Sequence, residues 1–123
     1  MSEANRNTLT KNDLPEAVRT AVDAALDKQA ENLVVLDLRG ITSFTEYFVI
    51  MNGRSGRQNM ALMESVQRAL KTAGHRPLSV EGRKSADWVL MDYGDFILHI
   101  FSEEARAFYE LEKLWADGPR LRF

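Results

Sequence analysis

Residues 87–115, DWVLMDYGDFILHIFSEEARAFYELEKLW, contain two apolar runs, a tight turn between them and a helical pattern directly afterwards. The two runs, 87–92 and 96–101, have the composition and length of strands. Gly94 in the turn supplies the positive φ that a short hairpin requires. We therefore predict an antiparallel hairpin, around which the rest of the chain is arranged.

The first run of the hairpin has two different faces, because side chains alternate across a strand. One face carries Trp88, Leu90 and Asp92, and the other carries Val89, Met91 and Tyr93. Neither face is polar enough to lie entirely in water. Both faces are therefore predicted to contact other parts of this chain or of a partner.

A helix is predicted to follow the hairpin directly. Ser102 is its expected N-cap, and the acidic pair 103–104 lies where the helix dipole favours negative charge. The Gly-Pro pair 118–119 is expected to end the helix. Its apolar stripe, at helical spacing, is Ala105, Phe108, Leu111 and Trp115. Phe108 and Leu111 are predicted core residues.

The composition limits the class of protein. With 123 residues, 45% of them hydrophobic, the chain has room for one domain with a single core. Sixteen basic residues against eighteen acidic ones give no overall attraction to nucleic acid or to an anionic membrane. The chain has no cysteine, no signal-peptide pattern and no long apolar run, so we expect a soluble cytoplasmic protein.

The remaining chain is predicted to supply two more helices and three more strands. Asp13 and Glu16 have capping-box spacing at the start of the first helix, and Ser55 and Gln58 have it at the start of the second. The additional strands are predicted at 33–36, 47–51 and 78–81. The resulting order is α-β-β-α-β-β-β-α, an α/β (α+β) fold with a mixed five-stranded sheet and flanking helices.

The domain boundaries follow from the same pattern. Residues 1–12 are polar and are predicted to be an unstructured tail. A single domain is predicted over 13–118, and residues 119–123 are predicted to be a short basic tail.

Two blocks of the sequence carry a resemblance to a known family. The blocks are LVVLDLRGITSFTEYFVIMNGRSGRQ, residues 33–58, and WVLMDYGDFILHIFSEEARAFYELEKLWAD, residues 88–117. Their order and spacing resemble those of the ribosomal silencing factor (RsfS, Iojap-like) family over about residues 13–118. The resemblance implies the layout predicted above, a small relative of the nucleotidyltransferase fold.

The resemblance also implies a partner, which is ribosomal protein L-fourteen on the large ribosomal subunit. From the residues alone, Trp88 lies just after a polar turn and Asp92 interrupts its face, which favours an exposed recognition face over core. The expected partner-binding residues are Trp88, Leu90, Asp92, Tyr93 and Trp115. Trp115 is beside an acidic set that would complement a basic protein, namely Glu104, Glu110, Glu112 and Asp117.

Motifs that would indicate anion binding, metal binding or catalysis are weaker than the family resemblance. The loop with Arg54, Ser55 and Arg57 precedes a helix and is a minor candidate for anion binding, but it lacks the P-loop and dinucleotide glycine patterns. Asp37, with Glu46 and Asp92, could be imagined as a metal-binding set. Arg39, however, stands where a nucleotidyltransferase has its second carboxylate, so Asp37 is predicted to cap a turn or to pair with Arg39.

The two histidines are not at metal-ligand spacing, and His99, inside a strand, is predicted to lie at the edge of the core with one hydrogen bond. No catalytic residue, metal, cofactor or small-molecule substrate is expected. The leading hypothesis is a non-enzymatic silencing factor that binds the large subunit, blocks joining of the small subunit and represses translation under nutrient limitation.

Three alternatives accompany that hypothesis. A nucleotidyltransferase would use Asp37 with the loop 53–57. An RNA-binding module would use basic side chains in two turns and the tail, namely Arg54, Arg57, Arg83, Lys84, Arg120 and Arg122. An apolar sheet face could also pair with a second copy of the chain to form a homodimer.

Overall fold

The central element is a six-stranded mixed sheet in the order β3-β4-β5-β2-β1-β6. The structure, a computed structural model, describes residues 9–116 and 118–123. The strands are β1 (Glu31–Asp37), β2 (Tyr47–Asn52), β3 (Ser79–Glu81), β4 (Trp88–Asp92), β5 (Phe96–Phe101) and β6 (Arg120–Arg122). Strands β2 and β5 are parallel, and the other neighbours are antiparallel. The predicted mixed α/β class is therefore confirmed, with one strand more than predicted.

Two long helices cover one face of this sheet. They are α1 (Glu16–Asp27) and α2 (Gly56–Thr72). Helix α2 begins as predicted, because the Ser55 hydroxyl accepts a hydrogen bond from the Gln58 amide at 3.1 Å. Both helices bury an apolar stripe against the alternate side chains of the strands, and this layer forms the larger hydrophobic cluster.

The opposite face of the sheet is covered by a shorter segment. Helices α3 (Glu103–Tyr109) and α4 (Leu111–Leu114) pack there over a smaller cluster, and neither helix has a buried residue. The strand register places Trp88 opposite Phe101 and Leu90 opposite His99 on this face. Val89 and Met91 lie on the face that α1 and α2 cover, and both are fully buried. The predicted alternation along β4 is confirmed.

The N-terminal predictions need correction. Leu9 is 7% exposed and belongs to the larger cluster, and residues 11–13 form a 3-10 helix. The prediction of an unstructured tail is therefore wrong for residues 9–12, and residues 1–8 lie outside the described part. Asp13 does not cap α1, which has Pro15 as its N-cap, because the Asp13 carboxylate accepts hydrogen bonds from the backbone and side chain of Thr10 instead.

The C-terminal predictions also need correction. Ser102 is the N-cap of α3 as predicted, but the helix breaks at Glu110, which has a left-handed φ of 46°. Phe108, which lies in α3 before the break, is 79% exposed, so its assignment to the core was wrong, whereas Leu111 packs against the smaller cluster. The predicted basic tail contains strand β6, whose residues pair with β1.

Among the residues that the structure describes, no helix is long and apolar enough to cross a membrane.

Candidate partner-binding surface

Trp88 is the first residue of β4, in the hairpin that β4 forms with β5. The turn is fixed by Asp92, whose carboxylate accepts a hydrogen bond from the Gly94 amide at 2.8 Å, and Gly94 has the predicted positive φ of 86°. The indole of Trp88 packs at a tilt against Phe101, with 4.9 Å between ring centroids, and its Nε1 donates a hydrogen bond to Nδ1 of His99 at 3.0 Å. Trp88 is therefore half-buried and held in one orientation.

Aromatic rings continue from Trp88 across the same face of the sheet. The His99 ring contacts Phe48 at 4.5 Å between centroids, and Phe48 in turn lies 6.0 Å from Trp115. We call this group, with its apolar neighbours, the aromatic surface. It consists of Phe44, Phe48, Trp88, Leu90, Ile97, His99, Tyr109 and Trp115.

Several members of the aromatic surface are open to solvent. Phe44, in the loop between β1 and β2, is 55% exposed, and Tyr109, at the end of α3, is 49% exposed. Trp88, Leu90 and Trp115 are partly exposed. Large aromatic rings that are neither buried nor isolated are typical of protein interfaces. The aromatic surface is therefore a candidate for binding a protein partner.

His99 is a buried member of the aromatic surface, with 3% exposure. Its predicted single hydrogen bond is present and comes from Trp88. Burial lowers the pKa of His99 to about 3, because a charged imidazole would lose its hydration there. The ring is therefore neutral at physiological pH and accepts the indole N–H.

The structure separates Tyr93 from the other predicted partner residues. Its ring stacks on Phe96 with 4.9 Å between centroids and packs against the cluster under α1 and α2. Burial raises the pKa of Tyr93 to about 12. Trp88, Leu90, Asp92 and Trp115 lie on one side of the sheet and Tyr93 on the other, so Tyr93 is not part of the aromatic surface.

Two residues of the acidic set beside Trp115 are paired within the chain. Glu112 accepts two hydrogen bonds from the guanidinium of Arg106, at 3.2 and 3.0 Å, and Glu110 pairs with Lys113 at 2.9 Å. Glu104 is exposed, and Asp117 lies outside the described residues. The predicted electrostatic complement to a basic partner is therefore smaller than the sequence indicated.

The candidate anion loop is also engaged in local structure. Arg54 pairs with Glu31 at 2.9 Å, and the hydroxyl of Ser55 caps α2. Arg57 is exposed on the first turn of that helix. Two of the three predicted side chains are therefore engaged in contacts within the chain.

Asp37 forms the pair that the sequence predicted. Its carboxylate accepts hydrogen bonds from Nε and Nη2 of Arg39 at 3.0 and 2.8 Å, and from the Arg39 backbone at 3.0 Å. Burial alone would raise the pKa of Asp37, but the hydrogen bonds from Arg39 outweigh it and hold this pKa below its usual value. Within residues 9–116 and 118–123, no cluster of three metal-ligating side chains occurs.

Comparison with known proteins decides the family. A family model described as "Ribosomal silencing factor during starvation" matches residues 11–123. The chain belongs to the ribosomal silencing factor family. The predicted resemblance is therefore confirmed over nearly the whole sequence.

Individual relatives support the same assignment. The chain is 38% identical over 104 residues to "Ribosomal silencing factor RsfS" of Halalkalibacterium halodurans, covering 85% of this chain and 89% of that one. It is 32% identical over 91 residues to "Mitochondrial assembly of ribosomal large subunit protein 1" of Mus musculus, covering 72% of this chain and 40% of the mouse protein. A crystal structure from Chromobacterium violaceum superposes with a TM-score of 0.80 at 36% identity, covering 82% of this chain and 84% of that one.

Two exposed members of the aromatic surface, Phe44 and Tyr109, were not predicted as partner-binding residues from the sequence. Phe44 carried a usable signal, because a single aromatic side chain between Ser43 and Thr45 in a loop has no strand or helix pattern to explain it. Tyr109 carried none, because its neighbour Phe108 fitted the helical stripe better.

Proposed function

We propose that this protein binds the large ribosomal subunit through ribosomal protein L-fourteen and thereby blocks joining of the small subunit. In the cytoplasm this would repress translation when nutrients are scarce. Family membership supports the silencing role, and the name of the mouse relative connects that protein with assembly of the large ribosomal subunit. The proposal assigns no catalytic step to the chain.

The observation that carries the proposal is the aromatic surface. It joins both tryptophans of the chain, Trp88 and Trp115, through the ring of Phe48 and that of His99. Interfaces concentrate their binding energy in a few aromatic anchors that lose water on contact. Exposed Phe44 and Tyr109 at the margins extend the area that such a partner could cover.

No observation favours the two other biochemical functions in the same way. The carboxylate of Asp37, which a nucleotidyltransferase would need for a metal, is occupied by Arg39. Arg54, which an RNA-binding module would need for phosphate, is paired with Glu31. We therefore propose a protein partner.

The deciding experiment measures joining of purified ribosomal subunits with and without this protein. The wild type should sediment with the large subunit and reduce the yield of joined ribosomes. Trp88→Ala should weaken binding by at least about thirtyfold, because removing an interface anchor costs on the order of 2 kcal/mol or more. Wild type that leaves joining unchanged and does not sediment with the large subunit would contradict the proposal.

A matched control is Thr72→Ala, an exposed change at the end of α2, on the other side of the sheet. It should bind as the wild type does. The melting temperature of each variant shows whether a loss of binding comes from unfolding.

The identity of the partner needs a separate test. Pull-down with isolated ribosomal protein L-fourteen should retain the wild type and lose Trp88→Ala. Binding should depend only weakly on salt, because a protein interface of this kind releases few counterions. A steep salt dependence would instead indicate contact with ribosomal RNA.

A homodimer would compete for the same apolar area. Sedimentation equilibrium of the free wild type and of Trp88→Ala tests this. A dimer that dissociates in the variant would place self-association on the aromatic surface.

A further inference from the structure

The hydrogen bond between Trp88 and His99 joins a half-buried residue to a buried one. The indole has a single donor, Nε1, and that donor is used within the chain at 3.0 Å from Nδ1 of His99. Trp88 is only half-buried, yet its one polar atom is not available to a partner. A partner therefore meets Trp88 as an apolar ring whose tilt is already set.

The imidazole of His99 is itself held from several directions. Its strand neighbours are Leu90 and Ile50, and the rings of Phe48 and Phe101 lie 4.5 and 6.1 Å from it. None of these neighbours is charged, and the low pKa that burial causes keeps the ring neutral. The acceptor therefore has a fixed position in the sheet.

Packing alone does not explain a histidine at this position. The second ring nitrogen, Nε2, is buried without a hydrogen-bond partner among the described residues. An unpaired buried donor is unfavourable, and phenylalanine would fill a similar volume without one. The feature that histidine adds is the acceptor Nδ1, and that acceptor contacts Trp88.

We propose that His99 is a positioning residue, which fixes the ring of Trp88 in the orientation that the partner recognises. The inference rests on the proposed docking role of Trp88. Without the acceptor, the indole N–H would have to turn towards water to be satisfied, and the ring would lose its packing against Phe101 and Tyr109. The ring would then become ordered only on binding, and this entropic cost would weaken affinity for the partner.

Two substitutions separate the acceptor from the ring. His99→Phe keeps a planar ring and removes the acceptor. His99→Asn removes the ring and keeps an acceptor, because the amide oxygen branches from Cγ as Nδ1 does. Orientation of Trp88 should follow the acceptor, whereas stability should follow the ring.

The direct readout is the indole N–H resonance in a proton–nitrogen NMR spectrum. The chain has two tryptophans, so Trp115 serves as an internal reference. In His99→Phe the Trp88 signal should shift and exchange faster with water, while the Trp115 signal stays nearly unchanged. In His99→Asn the Trp88 signal should stay closer to the wild-type position.

Binding to the large subunit is the second readout. His99→Phe should weaken it by about threefold to tenfold, the range of one neutral hydrogen bond. In a Trp88→Phe background the same change should have no further effect, because the donor is absent. His75→Phe, which alters the exposed second histidine, should leave both readouts unchanged.

Three outcomes would overturn the inference, and they are distinguishable. An unmoved Trp88 signal in His99→Phe would mean that the acceptor does not orient the ring. A moved signal with wild-type binding would mean that the partner does not recognise this orientation. Wild-type binding by Trp88→Ala would instead remove the proposed docking surface, and the positioning role with it.

Discussion

The two faces of the sheet differ in what covers them. The face under α1 and α2 is closed, and side chains such as Val89, Met91 and Leu98 have no exposure. The other face is covered by α3 and α4 only in part, and Trp88 and Leu90 remain partly exposed beside them. One strand, β4, thus contributes to both faces in alternation.

This difference indicates a division of roles. Complete burial of aliphatic side chains stabilises the fold, at about 25 cal/mol for each Å² of apolar surface removed from water. Half-buried aromatic rings contribute less to folding and retain apolar area that a partner can still bury. Variants on the two faces should therefore separate stability from binding.

The largest expected effect is that of Met91→Ala on the closed face. Met91 is fully buried, so the substitution should lower the free energy of unfolding by roughly 2–5 kcal/mol, through lost burial and a cavity. Urea denaturation measures this change. The matched variant is Leu90→Ala, at the preceding position of the strand and on the other face of the sheet. It should lower the free energy of unfolding by less and should weaken binding to the large subunit. Equal losses of stability in both variants would contradict the division.

The attachment of α3 and α4 gives the next effect. Arg106 donates to Glu112, to the backbone oxygen of Asn32 at 2.6 Å and to the Asn52 side chain at 3.0 Å, with its own side chain 12% exposed. Arg106→Met should lower the free energy of unfolding by about 2 kcal/mol, the range for hydrogen bonds to charged groups. In thermal melts the control Arg54→Met, which breaks an exposed pair, should change stability by less than about 1 kcal/mol.

Acid should lower the free energy of unfolding through His99, which lies on the open face, the one that α3 and α4 cover only in part. The pKa of this residue is about 3 in the fold and about 6.5 when unfolded, so below pH 6.5 the unfolded chain binds a proton that the folded chain excludes. The stabilising contribution of the neutral ring is therefore present above pH 6.5. It falls by up to about 1.4 kcal/mol per pH unit as the pH drops towards 3.

Measurements between pH 6.5 and 5 isolate this effect, because carboxylates titrate mainly below that range. Urea denaturation of the wild type should show the slope, and His99→Phe should reduce it. A slope that persists unchanged in the variant would assign the proton uptake to another group.

The smallest expected effect is that of Tyr93→Phe. The hydroxyl of Tyr93 is buried and has no hydrogen-bond partner within the described part of the chain, so its removal should leave stability within about 0.5 kcal/mol or raise it slightly. Binding to the large subunit should not change, because Tyr93 lies away from the aromatic surface. A clear loss of binding would restore Tyr93 to the interface and would sharpen its boundary.

Local patterns in the sequence were enough to predict much of the fold. The alternation in β4, the positive φ at Gly94 and the caps at Ser55 and Ser102 each depend on residues within a few positions of one another. The pair of Asp37 and Arg39 is equally local. Such interactions can be predicted from the spacing of residues in the sequence alone.

The features that escaped prediction depend on distant residues. The break at Glu110 accompanies the hydrogen bonds of Arg106 to residues 54 and 74 positions away. Strand β6 exists because its three residues meet β1, not because of strong strand propensity. The aromatic surface likewise combines the loop residue Phe44 with Trp115 and Trp88. No short-range pattern connects these positions.

The path of the chain after β5 has a mechanical consequence. From β5 it crosses over β2 and β1 on the open face and then enters the sheet again as β6 at the edge. Helices α3 and α4, with Trp115 directly after them, therefore form a strap that is anchored at both ends, by the interior strand β5 and by the edge strand β6. A strap of this kind cannot swing aside as a lid does. Two rings of the aromatic surface, Tyr109 and Trp115, belong to this strap. We expect that moving them away from the sheet together with the strap requires β6 to separate from β1 first.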